Sequence, residues 1–487
     1  MVFAISMSPV SIWEWHWALW ALAVGGGAVA FVHVVLYKRD PRSAAYWVAL
    51  VLLVPIMGAL LYLVLGINVT RRRGKQYRDR FEKHSTRVGG VAATALLGPN
   101  DSGETRDQGL AVTFDRISRL AFTQGNAIGI YRNGDEAIEP MLDAIRSARV
   151  SVSLATYIFE AGGIGAEFVR ALGDAVQRGV DVRVIVDDAG TRYSWPPVTR
   201  ILRQRGVSVH RFMPMRRLLR LATMNLRNHR KILIADGKLG FTGGLNIRDG
   251  NMLARNPANP IRDLHFRVEG PVVGQMQRIF VEDWSFCAGE ILEGEKWFPE
   301  LIPHGNVSAI GIPDGPDEDL EVMPVAFFAA LSAAKKDVKI LNPYFLPLPA
   351  LIWALKLCIM RGVSVTIVTP ARSNIPPAAW AARTLFPDLL LAGCRIFESP
   401  PPFDHSKIFI IDGVWSFIGS TNWDPRSLRL NFEFNLACFG RDLAERLDHE
   451  FRDKLGESRE VTLADIEADS TGIRLRNGIA RLFIPLL

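Results

Sequence analysis

A polar motif of the form His-x-Lys-x-x-x-x-Asp occurs twice in this chain of 487 residues, and it constrains the fold more than any other feature. The second copy starts 176 residues after the first (405 minus 229). Nine of the eighteen positions from each His to the Asn that closes the block are identical. The polar members of the two copies are His229, Lys231, Asp236 and Asn246, and His405, Lys407, Asp412 and Asn422. Chance does not repeat a polar constellation in this way, so the chain consists of two related halves.

Each copy predicts a short, largely buried strand that begins at the His, over residues 229–235 and 405–411. Alternate side chains of a strand share a face, so the Lys two residues after each His lies on the same side as that His. Two such strands brought edge to edge form one pocket. One His attacks phosphorus, the other protonates the departing oxygen, and the Lys and Asn side chains hold the phosphate oxygens. This set of His, Lys and Asn side chains predicts phosphoryl transfer with no metal and no cofactor.

Predicted helices and strands alternate in the same order in both halves. The predicted elements are a helix over 136–148, a strand over 150–159, a helix over 164–178 and a strand over 180–187, then a helix over 324–335, a strand over 338–343, a helix over 348–361 and a strand over 363–369. Alternation of this kind favours layered α/β domains. The repeated unit is therefore a whole domain rather than a motif.

Two apolar stretches near the N-terminus, Trp17 to Tyr37 and Ala44 to Ile67, are each long enough as a helix to cross a bilayer. A short basic loop separates them, and four Trp residues lie at the start of the first stretch, as is typical of a bilayer interface. The pattern predicts a transmembrane hairpin. The alternatives are a buried helical pair and, with less support, a cleaved signal peptide, since no Lys or Arg precedes the first stretch.

Charge around the hairpin favours a cytoplasmic location for the rest of the chain. No Lys or Arg occurs in the first 37 residues, whereas six follow the second stretch between positions 71 and 80. The three basic residues of the connecting loop oppose a simple two-span arrangement, and a re-entrant hairpin would remove that conflict. We expect four regions: a membrane hairpin over 1–70, a basic tether over 71–125, and two domains over 126–315 and 316–487.

The charge of the chain indicates which kinds of partner it binds. A net charge of +7 and a pI near 9.3 favour polyanions, either nucleic acid or an anionic lipid leaflet, and the hairpin favours lipid over nucleic acid. The four Cys residues have no paired or metal-like spacing, which fits a reducing compartment and a place in the core. Residues 211–230 mix Arg with Leu and Met, which predicts either a membrane-surface element or an ordinary helix packed on the core.

The duplicated motif resembles the signature of the phospholipase D superfamily, and within it the chain is most similar to bacterial cardiolipin synthases. Further stretches carry the likeness: residues 156–159, 342–347 and 419–427, Asn431, Glu433 and the final residues 484–487. The resemblance implies two tandem phospholipase D-type α/β/α sandwich domains packed pseudo-symmetrically behind the hairpin. It also implies a phosphatidyltransferase of the bacterial inner (cytoplasmic) membrane, multi-pass, with its catalytic domains in the cytoplasm.

The resemblance further implies a two-step exchange on phosphatidylglycerol and other anionic phospholipids. His229 is the expected nucleophile, forming a phosphohistidine, and His405 is the expected general acid and base; the near symmetry of the blocks leaves these roles exchangeable. Lys231, Lys407, Asn246 and Asn422 would bind the phosphate. Two molecules of phosphatidylglycerol would give cardiolipin and glycerol.

A nucleophilic imidazole needs its second nitrogen held, and an acidic residue beyond each Asn is the expected partner. Glu433 follows Asn422 by eleven residues, whereas Asp263 follows Asn246 by seventeen. Asp236 and Asp412 are counted with the catalytic set, although each precedes a Gly at a strand end and favours a turn-locking role.

Several alternatives use the same catalytic groups. A lipid hydrolase of the phospholipase D kind accepts water, and a phosphatidylserine synthase uses a different donor and acceptor alcohol. A nonspecific nuclease, or a noncatalytic scaffold, belongs to another class. The sequence leaves open whether the chain forms a homo-oligomer.

Overall fold

The computed structural model describes residues 12–38, 41–66, 105–118, 120–214, 227–315 and 321–484. The chain divides into two compact units, residues 1–72 with 215–224, and residues 73–214 with 225–487. Most of the Arg- and Leu-rich run between 211 and 230, and most of the tether expected over 71–125, lie outside the described residues.

The N-terminal unit contains three helices, α1 (Ile12–Tyr37), α2 (Pro41–Leu53) and α3 (Pro55–Leu61), followed by a π-helical turn at Tyr62–Gly66. The helices pack through a small buried cluster that includes Val34 and Val51. The second apolar stretch, predicted as one helix, is divided before Pro55, because proline has no N–H to continue the helical hydrogen bonds. No helix in the described part of the chain is long and apolar enough to cross a membrane.

The first half of the second unit is an α/β layer that begins within the expected tether. Its helix α4 packs Phe114 into a core of the second half. The elements are α4 (Thr105–Ser118), β1 (Thr123–Arg132), α5 (Asn133–Ser147), β2 (Ser151–Thr156), α6 (Ile164–Gln177), β3 (Asp181–Asp187), α7 (Val198–Gln204), β4 (Ser208–Phe212), β5 (Ile232–Ala235), β6 (Leu239–Gly243), β7 (Ile261–Arg262), β8 (Leu264–Glu269) and α8 (Val272–Ala288).

The second half repeats most of this order, with the two-residue strand in a different place and with additional elements. The elements are β9 (Val307–Asp314), α9 (Val322–Ala333), β10 (Asp337–Leu341), α10 (Pro349–Met360), β11 (Ser364–Pro370), α11 (Pro376–Arg383), α12 (Phe386–Ala392), β12 (Arg395–Ser399), β13 (Phe403–Asp404), β14 (Ile408–Ile411), β15 (Trp415–Gly419), β16 (Glu433–Phe439), α13 (Arg441–Gly456), β17 (Arg459–Val461), α14 (Leu463–Glu467) and α15 (Thr471–Leu482). The eight helices and strands predicted for the two halves agree with these bounds to within a few residues at most ends.

Fifteen of the described strands form one continuous sheet, in the order β17-β12-β11-β10-β14-β15-β16-β9-β1-β8-β6-β5-β2-β3-β4. Read outward from the central β9–β1 pair, the two directions have the same order, so β9 corresponds to β1, β16 to β8, β15 to β6 and β14 to β5. The halves therefore share one sheet through an antiparallel central pair. Strand β9 opens the second half, whereas the sequence placed residues 307–314 at the end of the first domain.

Buried apolar side chains form separate clusters on the two sides of this sheet. Cys358, Cys394 and Cys438 are buried and Cys287 is partly buried, and all four are free thiols, as predicted for core residues. The mixed α/β architecture and its pseudo-symmetric duplication are confirmed, while the two halves are joined into one sheet rather than merely packed together.

The strand predicted to start at each motif His starts three residues later, at Ile232 and Ile408. The His and Lys of each copy therefore precede the strand, and the alternation argument for their shared face does not apply. The reason is that the backbone at each His hydrogen-bonds to the other half instead of to the neighbouring strand of its own half.

Candidate active site

Each motif histidine is positioned by a segment that pairs with the opposite half. Asn228 bridges to Phe432, and the N–H of His229 donates to the Phe432 carbonyl at 2.8 Å. In the second half β13 pairs with β7, and the N–H of His405 donates to the Arg262 carbonyl at 2.7 Å. The backbone of each motif His is therefore hydrogen-bonded to the half of the chain that carries the other motif His.

The two imidazoles face each other in one cavity. The ring centroids of His229 and His405 are 6.3 Å apart and the rings are nearly perpendicular, at 84°. Both side chains line a cavity of about 340 Å³, together with Asn246, Asn422 and Asp263. That volume lies within the range of small-molecule sites. The predicted meeting of the two motif copies at a single pocket is confirmed.

Each histidine Nδ1 is held by a carboxylate of the opposite half. His229 Nδ1 lies 3.0 Å from Glu433 Oε2, and His405 Nδ1 lies 2.8 Å from Asp263 Oδ2. Both carboxylates are buried. A carboxylate at Nδ1 favours the tautomer with its proton there, which leaves Nε2 of each ring with a lone pair.

Asp263 and Glu433 occupy equivalent positions in spite of their unequal distance from the motif Asn. In each half, the Gly at the end of one strand pairs with the residue two positions after the acid. Gly243 pairs with His265, two residues after Asp263, and Gly419 pairs with Asn435, two residues after Glu433. The additional residues of the first half form two short 3-10 turns, Asp249–Asn251 and Leu253–Arg255, which leave that register intact.

The surroundings of the two carboxylates differ. Ser420 Oγ donates to Glu433 Oε2 at 2.5 Å, and Asn431 Nδ2 donates to Oε1 at 3.3 Å. Gly244 stands at the position of Ser420 in the first half, where a Cβ would lie 2.1 Å from an Asp263 oxygen. Asp263 instead accepts the backbone N–H of Leu264 at 2.8 Å.

The pKa values follow these surroundings. Burial would raise the pKa of Glu433, but the neighbouring His229 and Lys231 and the Ser420 hydrogen bond outweigh it, so that pKa is lowered. Burial raises the pKa of Asp263 to about 6 against the opposing charge of Lys407. Glu433 is thus the stronger acid of the pair.

Burial lowers the pKa of both histidines, so both rings are neutral near pH 7. For His229 the charge of Glu433 opposes the change. For His405, the ammonium groups of Lys407 and Lys231 add to burial and lower the pKa further. Neutral imidazoles with a free Nε2 have the protonation state that a nucleophile requires.

The two motif lysines are buried beside the motif histidines. Lys231 Nζ donates to the His229 carbonyl at 2.8 Å, and Lys407 Nζ donates to the His405 carbonyl. Burial lowers the pKa of Lys231 to about 7 and that of Lys407 to about 8, against the raising effect of the carboxylates. An anion in the cavity would favour the charged form of both.

The motif asparagines lie on the cavity wall. Asn246 Oδ1 accepts the N–H of Ile158 at 3.1 Å, which leaves its amide N–H groups available to an anion. Asn422 Nδ2 donates to Ser427 Oγ at 3.3 Å. These contacts fix the amides on the turns that follow β6 and β15.

Asp236 and Asp412 lie away from the cavity and hold backbone. Asp236 accepts N–H groups from residues 149–151, and Asp412 accepts those from residues 335–337, at 2.7 to 3.1 Å. Both residues have left-handed φ values, 51° and 56°, which Asp tolerates better than most residues. The structure gives them the turn-locking contacts that the sequence favoured, and no contact with the reacting groups.

Two tyrosines and one arginine near the histidines were given no role by the sequence. Tyr157 lies 5.2 Å from His229 and Tyr344 lies 6.1 Å from His405, measured between ring centroids. Arg230 is buried and donates to Asp283 at 2.5 Å and to the Glu433 carbonyl at 2.9 Å. The sequence signal was weak: each tyrosine follows a buried strand, and Arg230 sits inside the motif at a position where the second copy has Ser.

Known proteins share this architecture. The family model described as "Cardiolipin synthase, PLD-like domain" matches residues 141–284 and 327–455, one segment in each half, and the model described as "Phospholipase D-nuclease N-terminal" matches residues 28–66. The chain is similar to a cardiolipin synthase of Oceanobacillus iheyensis, with 31% identity over 94% of this chain and 97% of the relative. It is 30% identical to a cardiolipin synthase of Staphylococcus aureus, over 94% of each protein.

A solved structure of phosphatidylserine synthase from Haemophilus influenzae superposes with a TM-score of 0.58 at 14% identity, covering 78% of this chain and all of that one. At that identity the likeness concerns the fold alone. The family models cover both halves, and the relatives match nearly from end to end. The chain therefore belongs to the cardiolipin synthase family of phosphatidyltransferases, in the phospholipase D superfamily.

Proposed function

We propose that this chain is a cardiolipin synthase that transfers a phosphatidyl group from one phosphatidylglycerol to another. The observation that carries the proposal is the placement of two carboxylate-held imidazoles in one cavity, with their ring centroids 6.3 Å apart and a buried lysine ammonium group hydrogen-bonded to the backbone of each histidine. This arrangement supports a double displacement at phosphorus.

In the first step, His229 Nε2 forms a bond to phosphorus and the bond to the glycerol oxygen breaks. His405 gives a proton to that oxygen, so glycerol leaves neutral. Because the bound phosphodiester is anionic, it opposes the ammonium charges that lower the pKa of His405, which favours the protonated ring when substrate is present.

In the second step, a hydroxyl of the acceptor phosphatidylglycerol attacks phosphorus and gives its proton to His405. The nitrogen–phosphorus bond breaks, which restores His229 and releases cardiolipin. Lys231, Lys407, Asn246 and Asn422 neutralise the charge on the nonbridging oxygens in both steps.

We also propose that the N-terminal unit attaches the enzyme to the bacterial inner membrane as a multi-pass hairpin with the catalytic halves in the cytoplasm. The helices there expose large apolar side chains: Val29 is 72% exposed, Leu36 67% and Leu53 80%. Apolar surface on that scale is typical of contact with lipid or with another protein. The basic residues at 71–80 support the orientation.

Product analysis of the purified full chain in detergent tests the catalytic proposal. With labelled phosphatidylglycerol, mass spectrometry should detect cardiolipin and glycerol, and replacement of His229 or His405 by Ala should abolish both. Phosphatidic acid as the sole product would instead indicate a hydrolase. Phosphatidylserine formed when serine and an activated phosphatidyl donor are supplied, without cardiolipin, would indicate a phosphatidylserine synthase, and plasmid cleavage without lipid turnover would indicate a nuclease.

A further inference from the structure

The C-terminal helix α15 has an inner face that is buried and an outer face that is exposed. Its inner face packs on α11 through Asn477 and Ala480, which are buried, and through the partly buried Ile473. These positions recur at intervals of three and four residues, so they lie along one side of the helix. The inner face accounts for the attachment of α15 to the second half.

The outer face of α15 is apolar and exposed. Leu475, Ile479 and Leu482 are 65%, 50% and 76% exposed, and their spacing of four and three residues places them in one stripe. At 100° per residue, this stripe lies opposite the buried one. The adjoining Phe483 is 51% exposed. A helix that only needed to pack on α11 would carry polar residues here.

Arginines border the stripe on both sides. Arg474 and Arg481 lie along one edge, and Arg476 lies along the other, with its guanidinium 4.5 Å from the ring centroid of Trp380 on α11. The helix contains no Asp or Glu. An apolar stripe bordered by cations is the pattern of a helix that lies in the interface of an anionic bilayer.

Helix α15 is also connected to the active-site cavity. Its partner α11 supplies Ala378 to the cavity lining, and Ile375 immediately before α11 lines the cavity as well. The apolar stripe is therefore one helix away from the wall of the cavity that contains the two histidines. A membrane contact at α15 would hold this wall close to the lipid headgroups.

We propose that the outer face of α15 docks on the surface of an anionic phospholipid bilayer and presents the cavity to its lipid substrates. The proposal rests on the proposed function, because only a lipid substrate requires the cavity to meet a membrane. Apolar side chains enter the headgroup region, and the positive charge of the bordering arginines attracts the anionic headgroups.

The test compares two lipid forms with the full chain. In Leu475→Gln/Ile479→Gln/Leu482→Gln, turnover of long-chain phosphatidylglycerol in mixed phosphatidylglycerol and phosphatidylcholine vesicles should fall at least about tenfold, because three apolar side chains lose their burial. Turnover of a short-chain phosphatidylglycerol, below its critical micelle concentration, should stay within about twofold. A matched variant, Val112→Gln/Val150→Gln/Ile302→Gln, replaces exposed aliphatic side chains elsewhere and should keep both activities.

Equal loss on both lipid forms, or no loss on vesicles, would overturn the docking proposal. A direct measurement uses a polarity-sensitive dye attached to Leu475→Cys. Its fluorescence emission should shift to the blue on vesicles and be quenched by brominated lipid, whereas the same dye at Ile302→Cys should not respond. A wild-type dimer that becomes monomeric in the triple variant would assign the stripe to a second copy of the chain. If wild type makes no cardiolipin from either lipid form, the proposed function fails, while the dye still reports on the surface.

The turn that follows Asn422 holds the backbone of Arg426 in place through several hydrogen bonds. Asp424 Oδ1 accepts the N–H groups of Arg426 and Ser427, both at 2.9 Å, and the Arg426 carbonyl accepts two N–H groups from residues 430 and 431 at 2.8 Å. The backbone of Arg426 is therefore fixed, and its side chain lines the active-site cavity.

The guanidinium of Arg426 lacks an acceptor at one position. Its Nε is buried and has no hydrogen-bond partner in the part of the chain that the structure describes. Burial raises the pKa of Tyr157 to about 12, and Arg426 is among the cations that oppose this rise, which places its charge near the tyrosine beside His229. A buried donor without an acceptor is costly, and an anionic ligand removes that cost.

We infer that Arg426 binds the phosphate of the acceptor phosphatidylglycerol, the second of the two phosphates present during transfer. This inference also rests on the proposed function. The two phosphates of cardiolipin are joined through one glycerol, so both must fit within the same cavity, and the groups around the histidines serve only the phosphate that reacts.

Glycerol exchange separates this role from donor binding. In Arg426→Gln, cardiolipin synthesis should fall at least about tenfold, since a charge-assisted hydrogen bond is lost. Incorporation of labelled glycerol into phosphatidylglycerol, which needs no anionic acceptor, should stay within about twofold. Arg429→Gln, an exposed neighbour paired with Glu321 at 3.0 Å, is the matched control and should retain both reactions.

Arg426→Lys should recover part of the cardiolipin activity, because it restores the charge without the planar fork. Parallel loss of exchange and synthesis, or no loss of either, would overturn the inference. Wild-type exchange with no cardiolipin at all would instead show that the proposed function is wrong.

Discussion

The two halves of the sheet keep the same strand order but support their active-site carboxylates differently. Glu433, which holds His229, accepts additional hydrogen bonds from Ser420 and Asn431 and has a lowered pKa. Asp263, which holds His405, has a Gly where the other half has Ser420, and burial raises its pKa to about 6. Duplication preserved the geometry while the electrostatics diverged.

This difference favours unlike chemical roles for two histidines in like positions. A carboxylate that stays ionised holds the Nδ1 proton of His229 and stabilises the charge that forms on its ring as Nε2 bonds to phosphorus. A carboxylate with a higher pKa holds His405 less firmly in one protonation state, which suits a ring that gains and loses a proton in each cycle.

The largest effect should come from the histidines themselves. His229→Ala and His405→Ala should each lower cardiolipin synthesis by at least about 10³-fold. A phosphatidyl ester of p-nitrophenol separates the roles, because nitrophenolate leaves without a proton. His405→Ala should release a burst of nitrophenolate and retain labelled phosphatidyl on the protein, whereas His229→Ala should do neither. The reverse pattern would exchange the two roles.

The next largest effect should come from Arg230, a residue that is replaced by Ser406 at the equivalent position of the second half. Arg230→Ser breaks the buried ion pair with Asp283, and the loss should be about 3–5 kcal/mol in the free energy of unfolding. Urea unfolding followed by tryptophan fluorescence measures it.

The control for that prediction is Arg278→Ser, which breaks a more exposed pair with Glu282 on α8 and should cost at most about 1 kcal/mol. Adding Asp283→Asn to Arg230→Ser should recover part of the lost stability. Equal small effects of Arg230→Ser and Arg278→Ser would mean that the buried Arg230–Asp283 ion pair contributes little to stability.

Local patterns in the sequence were sufficient to predict the repeated α/β elements and the meeting of the two motif copies. The helix predicted over 164–178 and the strand predicted over 180–187, for example, match α6 and β3 closely. The exchange of carboxylates between halves was not predictable, because it depends on which distant backbone segments pair. The same reason explains the misplaced strand starts at His229 and His405.

A smaller effect should distinguish the two carboxylates. Glu433→Gln should lower kcat by about 100-fold and Asp263→Asn by about tenfold, taking as a guide the effect of carboxylates that orient metal-bound imidazoles. The order follows from the firmer anchoring of Glu433. Single-turnover rates with the nitrophenyl ester should show the loss in the first step for Glu433→Gln. A larger loss for Asp263→Asn in that step would contradict the assignment of His229 as nucleophile.

The smallest effect is a shift of the pH profile that reports on the two lysines. Their pKa values are lowered to about 7 for Lys231 and about 8 for Lys407, so each loses its charge as the pH rises through these values in the free enzyme. Since kcat/KM reports the free enzyme, it should fall on the alkaline side above about pH 7 to 8. Arginine stays charged throughout this range, so Lys231→Arg should move the alkaline limb upward, and by more than Lys407→Arg does, because Lys231 titrates first. An alkaline limb that neither substitution moves would assign the titration to another group and remove the lysines from phosphate binding.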